Sequence, residues 1–134
     1  MINVSRRKID IRNEQGQALT EFALALPILA LLLFAVIQFG IAFNHYVTLT
    51  DATRAGARKA AVARQLANPA NVCVSAIRTS AADLDQGNLS ASCTSTWQMG
   101  ADVTVNATYP YSISLLGLVV KSGRLSSTTT ERVE

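Results

Sequence analysis

Charge is scarce in this 134-residue chain. Asp, Glu, Lys and Arg make up 16% of it, where soluble domains carry about 25%, and 49% of the residues are hydrophobic. That balance excludes a disordered or strongly solvating polypeptide and points to a membrane-associated one. Histidine occurs once, as His45, so no metal site can be built around a His pair and a Ser-His relay has little to draw on. The two cysteines form no C-x-x-C motif, which removes zinc-ribbon and thioredoxin-type chemistry. A Gly-rich phosphate loop is also missing. Asp83 and Asp85 stand near a turn, where caps or solvated charges are expected rather than a catalytic pair. No enzymatic activity, metal or organic cofactor is therefore expected.

Basic excess is small as well. The net charge is +3, and residues 1–16 hold Arg6, Arg7, Lys8 and Arg12 against Asp10 and Glu14. The remaining residues carry eight Lys/Arg against seven Asp/Glu. A body so close to neutral lacks the basic face of a nucleic-acid binder.

What the chain does have is one long apolar run. Residues 22–43, FALALPILALLLFAVIQFGIAF, contain no charge. As a helix these 22 residues span about 33 Å, enough to cross a hydrocarbon core of about 30 Å. Pro27 removes one helical hydrogen bond and predicts a mild kink. Gln38 is the only strongly polar side chain in the run and reads as a tolerated amide or as a helix-pairing group. Asn44, His45 and Tyr46 read as interfacial residues on the exit side. The run exceeds a secretory h-region of 7–15 residues and no A-x-A site directly follows it. Ala55-Gly56-Ala57 fits the small-residue pattern but lies well beyond it. A retained anchor is expected. Four basic residues before it and three soon after, Arg54, Arg58 and Lys59, favour a cytoplasmic N-terminus.

Cys73 and Cys93 both lie beyond the anchor. An even count in a small exported domain favours a disulfide, which would contribute about 3 kcal/mol for a loop of this size; two buried free thiols are the alternative.

Helical character continues past the membrane surface. Residues 47–66 are rich in alanine and free of proline. Ala52, Gly56, Ala60 and Ala63 put small residues on one face, suited to packing on the protein's own sheet or on a helix of a neighbouring subunit. Residues 68–71, NPAN, read as a break. A second helix is expected over residues 72–84 with Cys73, Ile77 and Leu84 inward, followed by a turn at 85–88. Residues 101–109 alternate apolar and polar as a half-buried strand does, with 89–93 and 125–133 as neighbours. The run 126–130, SSTTT, reads as an exposed strand face, and the sequon matches at Asn88 and Asn106 as chance. Residues 113–120, ISLLGLVV, read as a core-covering loop or short helix able to dip toward the membrane. The expected fold is α+β, a long N-terminal transmembrane helix continuing into a soluble helix packed on a small antiparallel β-sheet.

One short stretch is more specific. In residues 15–22, QGQALTEF, a basic leader ends in Gly16, Glu21 follows at the fifth position after it, and Phe22 opens the apolar run. This resembles a type IV prepilin-like signal, cut on the cytoplasmic side between Gly16 and Gln17. Gly16, the Glu21-Phe22 pair, Pro27 and the stretch DATRAGAR at residues 51–58 together resemble the TadE-like pseudopilin family of the tight-adherence (Tad) pilus. The resemblance covers residues 16 to about 62. It implies a leader over residues 1–16, an anchor over 17–46 and a periplasmic α+β domain over 47–134, held in the bacterial inner membrane. It implies a minor pseudopilin assisting pilus assembly, with a prepilin peptidase, other pilins or pseudopilins and the inner-membrane assembly platform as partners. Gly16 and Gln17 are then the processing site and Glu21 and Phe22 the assembly residues, with the new amine of a neighbouring Gln17 as the partner of the Glu21 carboxylate. An uncleaved, signal-anchored scaffold or binding domain of a secretion or envelope complex is the competing expectation.

Overall fold

The computed structural model describes residues 14–115 and 117–134; the leader residues Arg6, Arg7, Lys8, Asp10 and Arg12 lie outside the described residues. Two helices and a three-stranded sheet follow one another along the chain: α1 (Glu14–Ala61), α2 (Pro69–Ser80), β1 (Ser90–Thr94), β2 (Asp102–Leu115) and β3 (Leu118–Arg132). The sheet is antiparallel in the order β1-β2-β3. The α+β expectation, a long apolar helix continuing into a small antiparallel sheet, is met.

At 48 residues α1 is about 72 Å long. It runs unbroken through Pro27 and across residues 46–47. The first two-thirds are Leu, Ile, Ala and Phe, with an exposed apolar surface on every side, as a helix meant for lipid requires. The last third changes character. Leu49, Ala52, Thr53, Gly56, Ala57 and Ala60 are buried, while Asp51, Arg54, Arg58 and Lys59 stay in solvent. Alanines and one glycine keep this face nearly flat, so α2 and the sheet lie close against it. Arg58 and Lys59 sit in the final turn, where positive charge suits the helix dipole.

The helix stops at Ala61, not near Leu66 as the alanine content predicts. Two tight hydrogen bonds, from Ala63 N–H to Ala60 and from Leu66 N–H to Ala63, turn the chain there, and the Glu134 N–H takes the Ala61 carbonyl at 2.9 Å. Tertiary contact from the far end of the chain thus overrides propensity. The expected break between the helices is present, over residues 62–68, and the NPAN stretch both closes it and starts α2. Asn68 caps α2 by accepting from the Asn71 N–H, and Pro69 occupies the first helical turn, the position where a missing N–H costs nothing. α2 ends at Ser80, short of Leu84, with the Ala81 N–H bonded to the Ile77 carbonyl. Cys73, Ile77 and Leu84 are nevertheless buried, as the sequence predicts. Asp85 shapes the next turn by accepting from the Gly87 N–H and the Asn88 amide.

β2 and β3 are much longer than the alternation suggests. Residues 113–115 and 118–120 are in strands, not in a loop or helix. Their paired residues form the end of a β2–β3 hairpin, with Ile113 opposite Lys121, Ser114 opposite Val119 and Leu115 opposite Leu118. Gly117, at φ +83°, supplies the left-handed backbone that a tight turn needs. The 126–130 run is also not wholly exposed, because a strand turns alternate residues to opposite faces. Ser127 faces α1 and its hydroxyl lies 3.0 Å from that of buried Thr53, to which the Thr129 hydroxyl donates at 3.2 Å. Thr53 in turn donates to the Thr50 carbonyl. Thr128, on the open face, accepts from the Asn106 amide directly across the strands.

The core gathers the flat face of α1, Cys73 and Ile77 of α2, Leu84 and Leu89 of the connection, Val103, Val105 and Ala107 of β2, and Val133. Cys73 and Cys93 are joined by a disulfide that staples α2 to β1, twenty residues on. Reducing it, or replacing both cysteines by alanine, is expected to lower unfolding stability by about 2–4 kcal/mol, measured as the shift in denaturant midpoint of the full chain in detergent with and without reductant. Gly56 generates a second expectation. A Cβ there would meet Ile77 Cγ1 at 2.5 Å and the Cys73 carbonyl at 3.4 Å, and Cγ1 of a β-branched side chain has little room to retreat. Gly56→Val should cost roughly 1–3 kcal/mol through overpacking, seen as a lower melting temperature, whereas Gly40→Ala, with open space at its Cβ, should not.

Candidate functional site: the start of the anchor helix

Gly16, Gln17, Glu21 and Phe22 fall in the first turns of α1, so the helix fixes their relative positions. Residues 17 and 21 are one turn apart and share a face. The Gln17 side-chain amide donates to a Glu21 carboxylate oxygen at 3.2 Å. Phe22 is exposed and begins the apolar surface. Gly16 has nothing within 4 Å of where a Cβ would be, so packing does not demand a glycine there.

Thr20 belongs to this group and escapes the sequence reasoning. Its hydroxyl donates to the Gly16 carbonyl at 2.9 Å, the oxygen of the Gly16–Gln17 peptide. The clue available in the sequence is the four-residue spacing, at which a helical Thr bonds back to a carbonyl one turn earlier.

Over most of its length the anchor beyond is unpartnered within the chain. None of its apolar window is buried, and its length and composition suffice to cross a membrane. A single N-terminal apolar helix of this kind fits membrane anchoring. At its far end Gln38 and His45 are half-buried, and the His45 ring meets the edge of Tyr109 at 5.3 Å between centroids. The interfacial ring predicted at His45 is therefore also a contact between helix and sheet.

Ala52, Gly56 and Ala60 are not brought near Glu21. At about 1.5 Å per residue the span from 21 to 52 is roughly 46 Å, and all three are spent on the chain's own α2 and sheet. Two groups of residues result: a polar cluster at the membrane entry and a structural seam in the outer domain. Among the described residues no three His, Cys, Asp or Glu side chains gather where they could hold a metal ion.

Both groups fall largely within one stretch found by comparison. Residues 16–58 match the family model described as TadE-like protein. No curated protein and no solved structure matches the chain. The match opens at Gly16, takes in Glu21, Phe22 and Pro27, and closes at Arg58 in the last turn of α1, so that from its start to its core-facing end this helix is similar to TadE-like proteins.

Proposed function

We propose that the protein is a minor pseudopilin that assists assembly of a Tad-type pilus, made with a cytoplasmic leader that a prepilin peptidase removes between Gly16 and Gln17. The observation that carries this reading is the TadE-like match beginning at Gly16, a glycine for which the fold itself gives no reason. In this reading the N-terminus is cytoplasmic, α1 crosses the inner membrane and the sheet domain stands in the periplasm. The protein does no chemistry of its own; its partners are the peptidase, other pilins or pseudopilins, and the inner-membrane assembly platform.

The geometry suggests how Glu21 would serve. Cleavage creates an α-amino group at Gln17, one turn from the carboxylate that the Gln17 side chain already contacts. When anchors pack side by side in lipid, an unpaired carboxylate is costly. The new amine of a neighbouring subunit offsets that cost and fixes the axial register of the two helices. The Ala/Leu surface of residues 22–43 then supplies the packing.

One observation favours the competing reading, an uncleaved anchored scaffold. The Gly16–Gln17 peptide lies inside α1 with the Thr20 hydroxyl on its carbonyl, and nicking prefers exposed loops to helices. Glycine weakens the helix at that point by about 1 kcal/mol, which favours local unwinding. The N-terminal sequence of the membrane protein, produced with and without an active prepilin peptidase, separates the two: a peptidase-dependent start at Gln17 is expected, and an intact Met1 in both samples leaves the scaffold reading. Glu21→Ala is expected to leave membrane insertion unchanged but to reduce co-purification with pilus components by on the order of tenfold or more, the equivalent of losing a charged hydrogen bond of about 1.5–3 kcal/mol. Unchanged recovery would remove Glu21 from assembly.

A further inference from the structure

The end of the β2–β3 hairpin is apolar, and its β3 side is left open. Leu118, Val119 and Val120 are 75%, 64% and 63% exposed, as open as Leu24 and Val36 of the anchor at 70% and 69%. Three consecutive open apolar residues on a strand project to both faces, so on β3 the apolar tip shows to solvent on either side, while Ile113 and Leu115 opposite it are half-buried.

Where this tip points follows from its pairing with α1. Ser127 and Thr129 of β3 lie on Thr53, and their strand partners are Ala107 and Val105 of β2. Two to four residues further along β2, Tyr109 meets His45. Beyond that, residues 109–112 line a crevice with Gln38, Ile41, Ala42 and His45. β2 therefore descends α1 toward the anchor, and Ser112 is already beside residues of the apolar span. At about 3.3 Å per residue, Leu115 and the turn lie roughly 10 Å further in the same direction.

Composition along the hairpin repeats that of the anchor helix. Polar strand comes first, then Tyr109 and Tyr111 with Arg124 and Lys121 on the paired strand, then the apolar tip. Tyr109 stands level with His45, beside Tyr46, so helix and hairpin change from polar to apolar at one height. Aromatic and long basic side chains mark the membrane–water interface. Between Asp102 and Glu131 there is no acidic residue, so nothing in this stretch repels lipid phosphate. The Tyr111 ring lies over Gly123, leaving the hairpin thin where it would pass the headgroups.

We propose that the β2–β3 tip, residues 113–115 and 118–120, inserts into the leaflet from which α1 emerges, making a second contact with the acyl chains beside the helix. This rests on residues 22–43 spanning the membrane, and not on cleavage at Gly16. The tip's cross-strand pairs satisfy part of its backbone, and the strand edges left open confine insertion to this short segment.

The test uses the full chain in phosphatidylcholine vesicles whose acyl chains carry bromine, which quenches nearby indoles. Trp97, the only tryptophan, packs against the core and is the outside control in the unaltered protein. Val119→Trp in a Trp97→Phe background places the reporter on the tip, Leu118→Trp is a second reporter at another exposed site, and Leu32→Trp reports on the span. The expected result is blue-shifted emission and loss of most intensity in brominated vesicles for both tip reporters and for Leu32→Trp, with Trp97 unaffected. Quenching of Leu32→Trp alone overturns the insertion and leaves the anchor in place. A tip emission that follows the protein-to-lipid ratio and not the bromine overturns it in favour of contact between copies. No quenching at either position removes the span, and the insertion with it.

Discussion

Close approach between the last third of α1 and the elements that follow is the constraint on which the rest of the structure depends. The sheet is small and α2 has only twelve residues, so neither holds its shape alone. Both are organised by a flat strip of Leu49, Ala52, Thr53, Gly56, Ala57 and Ala60. Gly56 admits Ile77, Thr53 receives two hydroxyls of β3, and the Ala61 carbonyl receives the end of the chain. The disulfide then locks α2 to the edge strand β1. α2, β2 and β3 all pack on the helix that carries this strip.

The same helix answers two solvents in succession, which explains its composition. In its first two-thirds large apolar side chains face outward all round because lipid is the surrounding medium. In its last third the large side chains give way to small ones, because a protein surface now approaches from one side. The change occurs without a helix break, so sequence period and continuity are kept while the identity of the neighbour changes.

Much of this was legible from residues. The anchor was, because 22 uncharged residues leave few other readings. The inward set Cys73, Ile77 and Leu84 was, through helical spacing, and so was the strand nucleus around Val103 and Val105, through alternation. What escaped was set by partners distant in sequence. Ala61 ends α1 because Glu134 reaches it. Ser127 and Thr129 turn inward because Thr53 has a hydroxyl to meet them, and polar side chains there mask the alternation. The ISLLGLVV run misleads because it lacks the period-two pattern, which strand ends with no fully buried face do not need. At the anchor's start, Gly16, Glu21 and Phe22 were legible as a pattern, whereas Thr20 entered only through the hydrogen bond it makes.

Because α1 has no joint where it leaves the apolar span, it behaves as a rigid lever. Transmembrane helices tilt by about 20° on average, and more in thinner bilayers. A tilt of that size, carried over the roughly 27 Å from residue 43 to Ala61, moves the top of the outer domain sideways by about 9 Å. Bilayer thickness is thereby converted into the lateral position of the domain, with no change in its internal structure.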